Sequence, residues 1–113
     1  MDTIEEIIAI SEESVVQGTI PCHSAAPTIG ADAGSSIYIA LSNTNRDHSV
    51  SYAIYNNLTG KKVESGSLSQ GNSKSVIIPA SDEPQIIRIQ NQSTCQLNKI
   101  TPKLTYSAVV QNV

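Results

Sequence analysis

The feature that most narrows the fold is a two-residue alternation that recurs along the chain. Ile37, Ile39 and Leu41 fall on one side of an extended segment, as do Val50, Tyr52 and Ile54, and again Leu104, Tyr106, Ala108 and Val110. Side chains of a strand point alternately to its two faces, so each segment offers one apolar and one polar face. Turn-forming residues separate such segments at the roughly 8–12-residue spacing of a sandwich or barrel. The strands expected are Ser14–Ile20, Ser36–Ser42, Ser49–Tyr55, Lys61–Leu68, Ser73–Ile78, Gln85–Asn91 and Lys99–Val110. Two layers are needed to bury one face of each. That predicts an all-β protein: an immunoglobulin-like or jelly-roll β-sandwich of about seven or eight strands with an N-terminal arm.

Phe and Trp are absent and only four residues are Tyr, so the core is expected from Ile, Val, Leu and Ala. More than a third of the chain is Ser, Thr, Asn or Gln, which suits sheets with one wet face and many turns. With 113 residues there is room for one domain. Residues 1–20 read as the arm, 21–35 as a linker and 36–113 as the sandwich body, with strand 14–20 assignable to arm or body. Asn56–Gly60 and Ser69–Asn72 read as hairpin-type loops, because Asn and Gly tolerate the positive φ of tight connections. Pro102 interrupts the last expected strand, which should therefore start at an edge or carry a bulge. The proline, glycines and small residues of Pro21–Ser35 read as a connection.

Charge is distributed unevenly. Residues 1–13 hold Asp2, Glu5, Glu6, Glu12 and Glu13 and no base, while the remainder of this net −3 chain sums to +2. The arm is too acidic for a secretory signal and too short for a membrane span, so it is expected to be kept as structure. Thr3 and Glu6 fit a capping box and Ile4, Ile7 and Ile8 share a helical face, whereas Ile8 and Ile10 would share one face of a strand. A helix of about ten residues is marginal alone. Either form needs a partner surface, and Ile4, Ile7, Ile8, Ile10, Val15 and Val16 are the candidate subunit-interface residues. The partner is the chain's own body or that of the next subunit, reached by strand addition, with an acidic arm suited to a mildly basic surface.

Cys22 and Cys95 are the only cysteines. Three readings stay open: an intrachain disulfide, an interchain disulfide between neighbours, or two unpaired thiols. No catalytic constellation is visible. Cys22 and His23 are adjacent, so on an extended chain they point to opposite sides and cannot share a proton. Asp47 and His48 lie among ordinary turn residues. No metal-ligand spacing, calcium loop, phosphate loop or nucleophile elbow occurs, so no enzyme activity, metal or cofactor is expected. A pI of about 5.2 without Phe or Trp argues against nucleic acid. Tyr38 and Tyr55 fall outside the apolar register of their strands. They are the candidate contacts for an alternative function as a carbohydrate-binding, lectin-like or other protein-binding module. The sequons at Asn57 and Asn91 are short enough to arise by chance.

Between Ser49 and Tyr106 runs a recognisable order. S-G-S-L-S-Q-G-N-S leads into a strand, Q-I-I-R-I-Q-N follows, and Cys95 precedes Leu104-Thr105-Tyr106 in the last strand. This order resembles that of bacterial endospore appendage subunits. The resemblance implies a jelly-roll or immunoglobulin-like body, an N-terminal connector that reaches into a neighbour, and interchain disulfides that strengthen a fibre. The chain departs from that pattern in having no cysteine before Cys22. The function expected is a non-enzymatic structural subunit, at the cell or spore surface or otherwise outside the cell, whose main partner is itself.

Overall fold

The computed structural model describes residues 14–46, 48–95 and 102–112. These form nine strands: β1 (Ser14–Ile20), β2 (Ser24–Ala25), β3 (Ile29–Ala31), β4 (Ser35–Ser42), β5 (Val50–Asn56), β6 (Lys62–Leu68), β7 (Ser73–Ile78), β8 (Gln85–Asn91) and β9 (Leu104–Asn112). All pairings are antiparallel. The first sheet has the order β1-β9-β4-β7, and the second β2-β8-β5-β6 with β3 also on β8. Taken together, β2 and β3 form one edge interrupted at Pro27. The chain then alternates between sheets in the order of a jelly roll rather than an immunoglobulin domain.

The alternating positions identified in the sequence meet between the sheets. Ile37, Ile39, Leu41, Leu104 and Ala108 of the first sheet face Val50, Ile54, Ile87 and Ile89 of the second, all buried in one cluster. Each such aliphatic side chain contributes about 1.5–3 kcal/mol by leaving water. Tyr52 and Tyr106 supply the aromatic bulk, and both lie across the ladder from a glycine on an edge strand, Gly66 and Gly18. A Cβ on Gly18 would meet the Tyr106 ring at 3.4 Å, and one on Gly66 would meet the Tyr52 hydroxyl at 3.0 Å. Each ring thus occupies the space that its edge partner leaves empty.

Two buried asparagines close the ends of the sandwich. Asn91 Nδ2 donates to the carbonyls of Ile20 (2.9 Å) and Pro102 (3.2 Å), and its Oδ1 accepts from the Ser93 amide. Asn43 Nδ2 donates to the carbonyls of His48 (2.7 Å) and Leu68 (2.9 Å), while Asn45 exchanges two bonds with the Lys103 backbone. These amides stand in for a ladder where the chain leaves the sheets.

Several expectations are corrected. The stretch read as the linker, 21–35, holds β2 and β3, whose carbonyls and amides pair with β8 on either side of Pro27. Strand 14–20, which the sequence left assignable to arm or body, pairs along its whole length with β9 and so lies in the body. The final strand begins at Leu104, after Pro102, and is central rather than an edge. Only Asn56–Gly60 closes a hairpin; Ser69–Asn72 carries the chain from one sheet to the other. Gly71 has φ +77° there, so the turn chemistry is as expected but its destination is different. The capping box and Ile4, Ile7, Ile8 and Ile10 lie outside the described residues.

Candidate functional site

Among the described residues, β1 is an edge strand of the first sheet. Its sequence, Ser14-Val15-Val16-Gln17-Gly18-Thr19-Ile20, has neither charge nor proline. Natural edge strands are usually guarded by one or the other against pairing with another chain. Val15 is 56% exposed and Val16 41% exposed. Both line a groove of about 440 Å³ that also includes Pro27, Thr28 and Tyr106, at the mouth between the sheets. In sequence, residues 1–13 lead directly into this strand.

The outer face of the first sheet continues from the same place. Val15 stands opposite Val109, Val109 opposite Tyr38, and Tyr38 opposite Ile77, so one transverse apolar ridge crosses all four strands. Tyr38 is 42% and Ile77 61% exposed. The next outward row is Gln17, Ser107, Ala40 and Ser75. Its side chains are small at the centre, and two adjoining hollows of about 360 and 320 Å³ share Ala40 and Ser107. The face is therefore a ridge beside a trough. Its outward positions on β1, β9, β4 and β7 are Val, Gln, Thr, Ser, Ala, Tyr and Ile, with no charge.

Ile77 and Val109 were missed in reading the sequence, although a signal for them exists. Val15-Val16, Ile37-Tyr38-Ile39, Ile77-Ile78 and Val109-Val110 each break the alternation with apolar residues on both faces. Strands covered on both faces read that way.

Tyr55 sits on the opposite side of the sandwich from Tyr38, so the two do not form one site. The Arg88 guanidinium lies 4.6 Å from the centre of the Tyr55 ring, Gln92 Nε2 donates to the Tyr55 hydroxyl at 3.0 Å, and Arg88 Nη1 donates to Asn57 Oδ1 at 3.2 Å. One ring face and the hydroxyl of Tyr55 are thereby engaged within the chain. Asn91, in the second sequon, is fully buried with its amide engaged, whereas Asn57 is exposed in a turn.

Cys22 and Cys95 are joined in an intrachain disulfide with their Cα atoms 5.3 Å apart, which decides among the three readings and replaces the interchain links that the resemblance implied. The bond ties the β1–β2 turn to the segment leaving β8. His23, next in the turn, has φ +56°, which directs the chain back toward β8. Burial pushes the Tyr52 phenol up to about 12, helped by its bond to Glu64 Oε2 at 3.0 Å and by that carboxylate's charge. Among the described residues there is no group of three or more His, Cys, Asp or Glu arranged to hold a metal. No helix among them is long and apolar enough to cross a membrane.

No family model and no curated protein matches the chain. Solved structures do resemble it. The K3 cleaved adhesin domain of Lys-gingipain from Porphyromonas gingivalis W83 aligns with a TM-score of 0.55 at 8% identity, over 78% of this chain and 62% of that one. An acetyl xylan esterase, Est2A, from Butyrivibrio proteoclasticus aligns at 0.56 and 17% identity over 92% of this chain but 32% of its own. The chain therefore spans less than two thirds of either. Bacillus endospore appendages, a family of disulfide-linked pili, align at 0.51 and 16% identity over 90% of this chain and 91% of theirs. At these identities the likeness is one of fold: this chain is a two-sheet antiparallel β-sandwich.

Proposed function

We propose that the chain is a non-enzymatic structural subunit that self-assembles into an extracellular fibre, pilus or surface array, with residues 2–20 as its principal contact. The observation that carries this reading is β1, which is an edge strand among the described residues. A seven-residue edge without charge or proline is continuous with an acidic segment rich in isoleucine. Strand addition extends the ladder at β1 and buries the isoleucines on the next copy. A head-to-tail contact that does not close generates a filament. Both cysteines of the 113 residues are engaged with each other, so this contact is non-covalent. A disulfide also suits an oxidising compartment outside the cytosol.

Deleting residues 1–13 and imaging the product by electron microscopy tests the reading. Filaments from the full chain and none from the truncated one are expected; filaments of unchanged length and yield from the truncated chain would overturn it. One observation favours a second reading, a carbohydrate-binding module: exposed Tyr38 stands beside a trough lined by Ser75, Ser107 and Gln17. Glycan-array binding lost on Tyr38→Ala would support that function, and a silent array would remove it.

A further inference from the structure

The outer face of the first sheet is self-complementary. Its ridge (Val15, Val109, Tyr38, Ile77) and its trough (Gln17, Ser107, Ala40, Ser75) are parallel rows two residues apart along the strands, or about 7 Å. A two-fold axis lying in the face, midway between the rows and parallel to them, turns the face over and exchanges the rows. Each ridge then lies over the other copy's trough. Tyr38, the largest ridge side chain, is set above Ala40, the smallest in the trough. We propose that this face is a homotypic contact, in which the ridge of one copy seats in the trough of a second copy of the same chain.

The geometry, composition and extent of the face suit a second copy as the occupant. The contact is isologous by construction, as a closed two-fold contact must be. The face has no charged position, so two copies of a net −3 chain approach through it without opposing like charges, and no ion is stripped of water. Four strands about 4.8 Å apart and about seven residues long present roughly 450 Å² per copy. The total of about 900 Å² lies below the roughly 1,200 Å² of stable specific interfaces, in the range of transient contacts, which makes the association weak and concentration-dependent. The four doubled apolar positions in the sequence supply the ridge, and such doubling is the pattern of strands covered on both faces.

This contact does not depend on residues 1–13, and the test keeps it separate from the filament contact. Sedimentation of the full chain, over a wide range of concentrations below that at which filaments form, should show a monomer–dimer equilibrium. Ala40→Arg fills the trough and Ile77→Lys places a charge on the ridge. Each should raise the dimer dissociation constant by about tenfold or more, with circular dichroism unchanged because both positions are exposed. The chain lacking residues 1–13 should dimerise as before, even if it no longer forms filaments. A full chain that stays monomeric throughout would overturn the proposal. So would a dimer insensitive to both substitutions, or one abolished by removing residues 1–13, which would assign the trough to that segment instead.

Discussion

Tyr52 lies directly across the ladder from Gly66, with its hydroxyl 3.0 Å from where a Cβ on that glycine would be. The phenol cannot swing aside, because Glu64 holds its hydroxyl at 3.0 Å and the ring is buried. Gly66→Ala should therefore lower stability by about 1–2 kcal/mol, a cost of overpacking. Gly18 is the contrasting case. Its added Cβ would meet the Tyr106 ring at 3.4 Å, an ordinary contact, and its φ is not positive. Gly18→Ala should be neutral or stabilising by up to about 0.5 kcal/mol, through the lower entropy of the unfolded chain. Urea unfolding of the two variants beside the parent checks the difference in sign.

Tyr52 also gives the fold a limit at high pH. Its proton is held in the folded state up to about pH 12, against an ordinary phenol value of 10.0. Below pH 10 both states keep the proton and the full stability is present. Between about 10 and 12 the unfolded chain loses it first, so stability falls as pH rises, by at most about 2.7 kcal/mol in all. The urea midpoint of the parent should drop across that window by more than that of Tyr52→Phe. Equal drops would show that Tyr52 does not set the limit.

The disulfide closes a span of 73 residues. Removing it by Cys22→Ser with Cys95→Ser should cost about 4 kcal/mol in the chain-entropy account. The same midpoint shift should follow from adding reductant to the parent. Filaments or dimers, where formed, should run as a single monomer band on non-reducing electrophoresis rather than a ladder.

Asn91 donates to the carbonyls of Ile20 at the end of β1 and of Pro102 just before β9, fully out of water. Asn91→Leu keeps the branched shape but removes the donor to the Ile20 and Pro102 carbonyls and the acceptor for the Ser93 amide, which should cost about 2–4 kcal/mol. Asn91→Asp should be no better, since a carboxylate cannot donate to either. Thermal unfolding followed by circular dichroism measures both.

The legible part of this molecule is what two-residue periodicity reports. Val50, Tyr52 and Ile54, or Leu104, Tyr106 and Ala108, announce a buried face without reference to any partner, and those strands lie where the alternation puts them. β2 and β3 were not legible, because two or three residues around Pro27 show no period and are strands only by pairing with β8. The turn at Ser69–Asn72 reports positive φ at Gly71 but not which sheet the chain enters next. Pairing of Cys22 with Cys95 follows from the register that sets Ser24 opposite Asn91, a relation between distant segments. The ridge was hidden for the same reason: Val15, Tyr38, Ile77 and Val109 are neighbours only once three registers are known.

The Cys22–Cys95 bond has a mechanical consequence. Tension applied between the two ends of the chain passes from Cys22 straight to Cys95, bypassing the 73-residue span between them. Most of the sandwich is thus shielded from extension, and roughly 250 Å of contour length stays locked while the bond holds. Under load only β1, β9 and the segments flanking them can pay out, so the protein should yield at a single short step rather than unravel.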